Sequence, residues 1–336
     1  MPLPTRFELG DFALQSGDTL RRAQITYVQL GELNKARDNL VILPTYYGGA
    51  HSGNMPLVGA HSPLDPERFC ILVPNMFGNG HSSSPSNTVE EQRGPRFPYV
   101  SLLDNVYAQK KLIEERFNDA CPALILGWSM GGMQALQWAA SFPQRVARVM
   151  SICATARCWP HNQVFLDGVR AALQADCTFK GGDYERPPEK GLRAFGRVYA
   201  GWAYSQAFYR NGLYQQLGCP TIEALLKFWE EDHLAQDAND LLAMLETWRR
   251  ADVSSGCRYD GDLAQALQTI SADCIIMPGS TDLYFTEQDA RYEAAMIPRA
   301  EVIPLVSDWG HCAGAPGRSP VDTARILETC RRLLSR

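Results

Sequence analysis

No apolar run in this chain approaches the ~18 residues that a membrane-spanning helix needs. No long basic run appears either, and the net charge is -5, so nucleic acid and anionic bilayers are poor partners. The first residues, Met1-Pro-Leu-Pro-Thr-Arg6, lack a basic segment followed by an apolar one, and no secretory leader is expected. The ten cysteines are scattered and none forms a C-x-x-C pair. A chain of 336 residues needs no disulfide staples, which predicts reduced thiols and a cytoplasmic protein. Metal-ligand spacing is missing among the histidines and cysteines, as is the phosphate-cradling G-x-x-x-x-G-K, so neither a metal nor a cofactor is expected.

What is present is ordinary globular material, 45% hydrophobic and 21% charged, long enough to bury a sizeable core. Ser16-Gly17-Asp18 reads as a hairpin turn leading into the alternating stretch 23–30. Short apolar runs at 40–43 and 70–73 lead into Gly- and Pro-rich stretches, the pattern of strands buried on both faces of a parallel sheet, and 123–126 and 146–152 read as further strands. Helical spacing fills 103–117 and 130–140. From 155 to 252 only helical patterns occur, rich in large aromatics such as Phe165, Phe195, Tyr199, Trp202 and Trp248. Strand patterns return at 274–277 and 302–306, with helical ones at 287–296 and 321–334. The expected architecture is an α/β core, residues 1–154 and 253–336, with a mostly parallel sheet flanked by helices and a helical insertion over 155–252.

Gly127-Trp128-Ser129-Met130-Gly131-Gly132 is the one G-x-S-x-G of the chain. It follows a strand pattern and opens a helical one, the setting of a nucleophile elbow. Such a turn strains the serine and demands small residues two positions either side of it. Gly80-His81-Ser82-Ser83-Ser84 lacks the second glycine and a following helix, and reads as a loop.

A serine hydroxyl needs an adjacent base, and in this setting the partners follow in the order Ser, acid, His. Of six histidines only His311 lies beyond the last strand patterns. Asp282, in the loop after 274–277, is the expected acid that fixes the imidazole tautomer. Asp308, three residues from His311, is a rival that reads as a cap or turn, and Asp289 as a solvated helix face. Two N–H donors must hold the oxyanion of acyl transfer. The backbone N–H groups of Met130 and Tyr46, the latter in Thr45-Tyr46-Tyr47-Gly48-Gly49, are the candidates.

Taken together these residues resemble the homoserine O-acetyltransferase-like members of the α/β hydrolases. The likeness spans nearly the whole chain. It extends from the elbow through Gly127-Trp-Ser-Met-Gly-Gly-Met-Gln-Ala-Leu-Gln-Trp-Ala139 and includes Phe97-Pro98-Tyr99-Val100-Ser101, His161-Asn162 and Gly181-Gly182-Asp183-Tyr184. The resemblance implies an α/β-hydrolase fold whose insertion forms a lid over Ser129 and often a homodimer contact. It implies transfer of an acyl group, acetyl foremost, from acyl-CoA as co-substrate to a hydroxyl acceptor. Arg197 and Tyr204 match the spacing of the family's substrate-carboxylate pair. Cys312, however, stands where the family carries an Asp for the substrate amine, so an acceptor other than L-homoserine is expected. The alternative is a hydrolase that uses the same Ser129-Asp282-His311 set on an ester or thioester, with water as acceptor.

Overall fold

The computed structural model describes residues 3–256 and 258–336. Strands β1 (Thr5–Ala13) and β2 (Thr19–Leu30) form an antiparallel hairpin. Leu14 N–H bonds the Asp18 carbonyl at 2.9 Å across its turn, where Gly17 takes φ +90. Next come β3 (Leu40–Ile42) and β4 (Cys70–Pro74), buried at every residue, and helix α1 (Leu102–Arg116). The N-terminus of α1 carries a capping box between Ser101 and Asp104. Strand β5 (Pro122–Trp128) runs through the elbow into α2 (Met130–Ser141), followed by β6 (Arg148–Ile152).

The chain then leaves the sheet for five helices: α3 (Pro160–Gln174), α4 (Glu189–Ala203), α5 (Gln206–Arg210), α6 (Ile222–Leu234) and α7 (Ala238–Arg249). It returns through α8 (Leu263–Gln268), β7 (Asp273–Met277), α9 (Glu287–Ala294), β8 (Ala300–Val302) and α10 (Pro320–Leu334). The eight strands lie in the order β1-β2-β4-β3-β5-β6-β7-β8; β1, β2 and β4 pair antiparallel and the remaining pairs are parallel. This is the mostly parallel α/β sheet that the sequence predicts.

Alternation along β3 shows how the sheet divides the core. Leu40 and Ile42 join the layer that contains Val106 and Leu112 of α1, whereas Val41 and Leu43 join the layer that contains Phe165 and Trp248 of the insertion. Each such aliphatic side chain stabilises the fold by about 1.5–3 kcal/mol when fully buried. The strand expected at 302–306 is displaced: β8 spans Ala300–Val302. Pro304 supplies no N–H to the ladder, although Ile303 and Leu305 still donate to the carbonyls of Ile276 (2.9 Å) and Pro278 (2.8 Å). Among the described residues no helix is long and apolar enough to cross a membrane. The nine described cysteines are unpaired thiols, and Cys257 lies outside the described residues.

At the neck of the insertion, Arg157 pairs with Asp252 at 2.7 Å, while buried Glu293 of α9 accepts from the N–H groups of Ala156 (2.6 Å), Arg157 (3.2 Å) and the Trp159 indole (2.9 Å). Burial pushes the Glu293 carboxyl up to about 8 against the pull of those donors. From the ordinary glutamate value of about 4.3 up to about 8, the folded protein holds a proton that the unfolded chain has released. Stability therefore declines as pH rises through that window. Melting curves recorded from about pH 5 to 9 should show a shallower decline for Glu293→Gln than for the parent; equal slopes would count against this assignment.

Candidate active site

The elbow follows from sterics. Ser129 sits at φ +56, ψ −131, and its N–H bonds the Ile152 carbonyl at 2.9 Å. A Cβ on Gly127 would collide with the Gly131 backbone, and one on Gly131 would lie 2.6 Å from the Pro44 carbonyl oxygen. Glycine at both positions lets β5 turn sharply into α2 and lets the loop after β3 lie against the start of that helix. Ser129 is thereby presented at the C-terminal edge of the sheet, on the residue preceding α2.

His311 and Asp282 come to Ser129 from two loops that leave the same edge. Asp282 follows β7, and His311 sits in a short 3-10 turn, 310–314, ahead of α10. The imidazole Nε2 lies 2.9 Å from Ser129 Oγ, and Nδ1 lies 2.6 Å from Asp282 Oδ2. A carboxylate only accepts, so Nδ1 carries the proton and Nε2 is left to accept from the serine. The second oxygen, Oδ1 of Asp282, accepts from the N–H groups of Tyr284 (3.1 Å) and Phe285 (3.0 Å). Trp128 Nε1 donates to the His311 carbonyl at 3.2 Å. Ser129 and His311 are each only 3% exposed. The Sγ of buried Cys153 completes a trio of possible metal donors with Asp282 and His311, all within 4.8 Å of one another. The bonds just described already engage the histidine and the carboxylate, and the trio holds no fourth donor.

The rival acids stand elsewhere. Asp308 Oδ2 accepts from Asn211 at 3.1 Å, and Asp289 accepts from Thr286 Oγ1 at 2.7 Å beside the cap of α9. The serines of 82–84 are buried loop fasteners: Ser82 Oγ, for one, accepts from the Thr26 N–H at 3.0 Å and donates to the Asn75 carbonyl at 2.8 Å.

The two candidate oxyanion donors lie on adjoining segments. Gln134 Nε2 bonds the Thr45 carbonyl at 2.8 Å, which pins the loop bearing Tyr46 against α2. Among the described residues, neither the Tyr46 nor the Met130 N–H pairs with a backbone carbonyl. The Tyr46 ring itself packs edge-on to Trp128, with centroids 4.4 Å apart. Burial pushes its phenol up to about 12.

A cavity of about 170 Å³ opens over Ser129 and His311. Core loops supply Tyr46 to Gly49, Trp128, Cys312 and Arg318; the insertion supplies Tyr199 and Ala203 of α4 together with Trp229, Asp232, His233 and Gln236. Trp229 is one of the insertion's large aromatics noted in the sequence; sequence reasoning missed Asp232, His233 and Gln236, which join it in the wall. The four recur at i, i+3, i+4 and i+7, one face of α6 carried on just past its end, and that spacing was the available signal. A wider depression of about 900 Å³ lies at the opposite, N-terminal strand edge, beside Pro122, Arg148 and Asp273, away from the elbow.

Arg197 and Tyr204 do not reach the cavity, which corrects the substrate-carboxylate expectation. Arg197 points to the outer side of α4, and its guanidinium is engaged by Glu223 and Glu230 of α6. On α4 the inward stripe is Phe195, Tyr199 and Ala203, and Arg197 falls between its turns. Tyr204 is 1% exposed and stacks on Phe208 with centroids 4.0 Å apart; its buried hydroxyl lies against Cys312, so Cys312 and not Tyr204 faces the cavity. The arginine that does line the cavity is Arg318, held over the Phe228 ring at 5.3 Å. Cys312, also in the lining, is buried, and burial pushes its thiol up to about 12.

A strand–elbow–helix serine joined to a buried imidazole and carboxylate on a sheet of this order defines an α/β-hydrolase-type site. The family model described as the alpha/beta hydrolase fold matches residues 38–314, and the chain belongs to that family. It is 34% identical to an ethyl acetate hydrolase of Pseudomonas veronii, over 90% of this chain and 87% of that one. It is 28% identical to a homoserine O-acetyltransferase of Trichormus variabilis, over 90% of this chain and 87% of the other, in keeping with the resemblance drawn from the motifs. Among solved structures, the acetyl esterase MekB superposes with a TM-score of 0.96 at 33% identity, covering 100% of this chain and 97% of that one.

Proposed function

We propose that this chain hydrolyses esters of short carboxylic acids, acetyl esters above all, through an acyl-Ser129 intermediate. The observation that carries this reading is the small aromatic-walled cavity, about 170 Å³, closed over a nearly buried Ser129–His311 pair. It suits a short acyl group with a small alcohol, and the ethyl acetate hydrolase and acetyl esterase relatives support the same choice. Ester hydrolysis is thus favoured over the transfer from acyl-CoA that the motifs first suggest. Cys312 and the outward Arg197 remove the two particular partners that the resemblance implies, and the charged groups that do line the cavity, Asp232 and Arg318, stand at other positions.

His311 Nε2 takes the hydroxyl proton as Ser129 Oγ bonds the ester carbonyl carbon. The resulting oxyanion is met by the N–H groups of Tyr46 and Met130. The C–O bond to the alcohol then breaks, and His311 returns the proton to the leaving alkoxide. Water enters, gives a proton to His311, and attacks the acyl-enzyme; the acyl C–Oγ bond then breaks, His311 returns the proton to Ser129 Oγ, and the acid leaves. Asp282 holds the imidazole in the tautomer that accepts from serine and offsets the charge it gains. The helices of 155–252 act as a lid whose α4 and α6 shape the alcohol and acyl pockets.

Acid release from ethyl acetate and from longer acyl esters, followed by titration, tests this reading against CoA release from acetyl-CoA with a panel of hydroxyl acceptors. Turnover of acetyl esters that falls as the acyl chain lengthens is the expected result. CoA release that depends on an acceptor, without ester hydrolysis, would restore the transferase reading.

A further inference from the structure

The imidazole of His311 is boxed by rings. The Tyr284 centroid lies 4.5 Å from it, Trp128 5.0 Å and Phe285 5.5 Å, all tilted by 40° or less. Two of these rings belong to the residues whose backbone N–H groups hold Asp282 Oδ1. The turn Asp282-Leu283-Tyr284-Phe285 therefore grips the acid with its main chain and the base with its side chains.

The chemistry gives this box a task. Each half-reaction makes His311 an imidazolium in a site where it is 3% exposed, so water does little to solvate the charge. An aromatic face within about 6 Å of a cation attracts it, and the attraction grows when the pair is desolvated. We infer that Tyr284 and Phe285 are positioning residues that stabilise the imidazolium form of His311 through their rings. This rests on the role given above to His311 as the base.

The imidazole bonds Ser129 and Asp282 and has the Cys153 thiol beside it; Cys312 and the buried phenols of Tyr284 and Tyr199 belong to the same cluster. Burial raises Cys153, Tyr199 and Tyr284 well above their ordinary values and Cys312 to about 12, which leaves them neutral near pH 7. Asp282 is then the charged neighbour against which the ring effect is read.

Replacing either side chain leaves its backbone N–H on Asp282, so the ring can be removed without releasing the acid. The titration of His311, followed by NMR at its Cε1–H, and the pH profile of ester turnover are compared for the parent, Tyr284→Leu, Phe285→Leu and Tyr284→Phe. Each leucine variant is expected to titrate roughly half to one pH unit lower. Its acid limb should move down likewise, while its plateau kcat falls about tenfold. Tyr284→Phe, which keeps the ring, should match the parent. A His311 midpoint that stays put or rises in both leucine variants overturns the inference, even if their rates fall, because lost packing alone lowers rates without moving the midpoint downward. Should Tyr284→Leu not fold, Phe285→Leu carries the test. The NMR reading needs no turnover, so a parent without esterase activity would sink the proposed function while this inference is still decided.

Discussion

Ser129→Ala is expected to lower kcat on a small acetyl ester by roughly 10⁵- to 10⁶-fold. The loss should be this large if the hydroxyl is the atom that bonds the substrate, as proposed above, since among the described residues no other hydroxyl, thiol or amine is placed to take over. Cys153 is buried against the Asp282 side of His311, and Cys312 is a neutral thiol at the cavity wall. The melting temperature should hardly move. The φ of +56 is imposed by the elbow whatever the side chain, and alanine meets the same backbone strain as serine. Rate assays paired with a melting curve check both halves. Activity within tenfold of the parent would remove Ser129 from the chemistry, and an unfolded variant would show that the hydroxyl also supports the turn.

Asp282→Asn should cost about 10⁴-fold in kcat with little change in affinity. The argument is one of tautomers. Oδ1 accepts from the N–H groups of Tyr284 and Phe285, so the oxygen of an asparagine is fixed on that side. Its NH2 group must then face His311 Nδ1, which can only accept from it. The ring proton moves to Nε2, where it points at Ser129 Oγ and blocks removal of the serine proton. The measurement is kcat and KM across pH, together with the chemical shifts of the His311 ring nitrogens. A loss of a few-fold only, or an Nδ1–H tautomer in the variant, would show that the acid is not what orients the base.

Much of this site was legible in the sequence because its rules are local. Gly127 is demanded by the backbone of Gly131 and Gly132 a few residues on, and Gly131 by the close approach of the Pro44 carbonyl, but both needs fall on the short segment around Ser129 and so leave a motif. Asp282 and His311 were legible because each follows a strand, and a parallel sheet gathers all its strand ends at one edge. The rest depends on which face of a helix meets which neighbour. Arg197 has the right spacing to Tyr204, but its direction is decided by the packing of α4 on α6, where Glu223 and Glu230 offer it partners. Trp229, Asp232, His233 and Gln236 become cavity walls only once α6 lies over Ser129. The strand expected at 302–306 was displaced by a single residue type, since Pro304 carries hydropathy suited to the run but no N–H.

Ser129, His311 and Asp282 all hang from loops at one edge of the sheet, whereas much of the cavity wall is lent by α4 and α6, between whose flanking segments Arg157, Asp252 and Glu293 form the neck. Reactivity and recognition are thus inherited on separate stretches of chain. Substitutions at the inward positions of α4 and α6 can change which ester is admitted without touching the geometry that cleaves it. If the proposed roles hold, the insertion is a faceplate on a separate engine, and divergence of substrate among relatives should concentrate in 189–236.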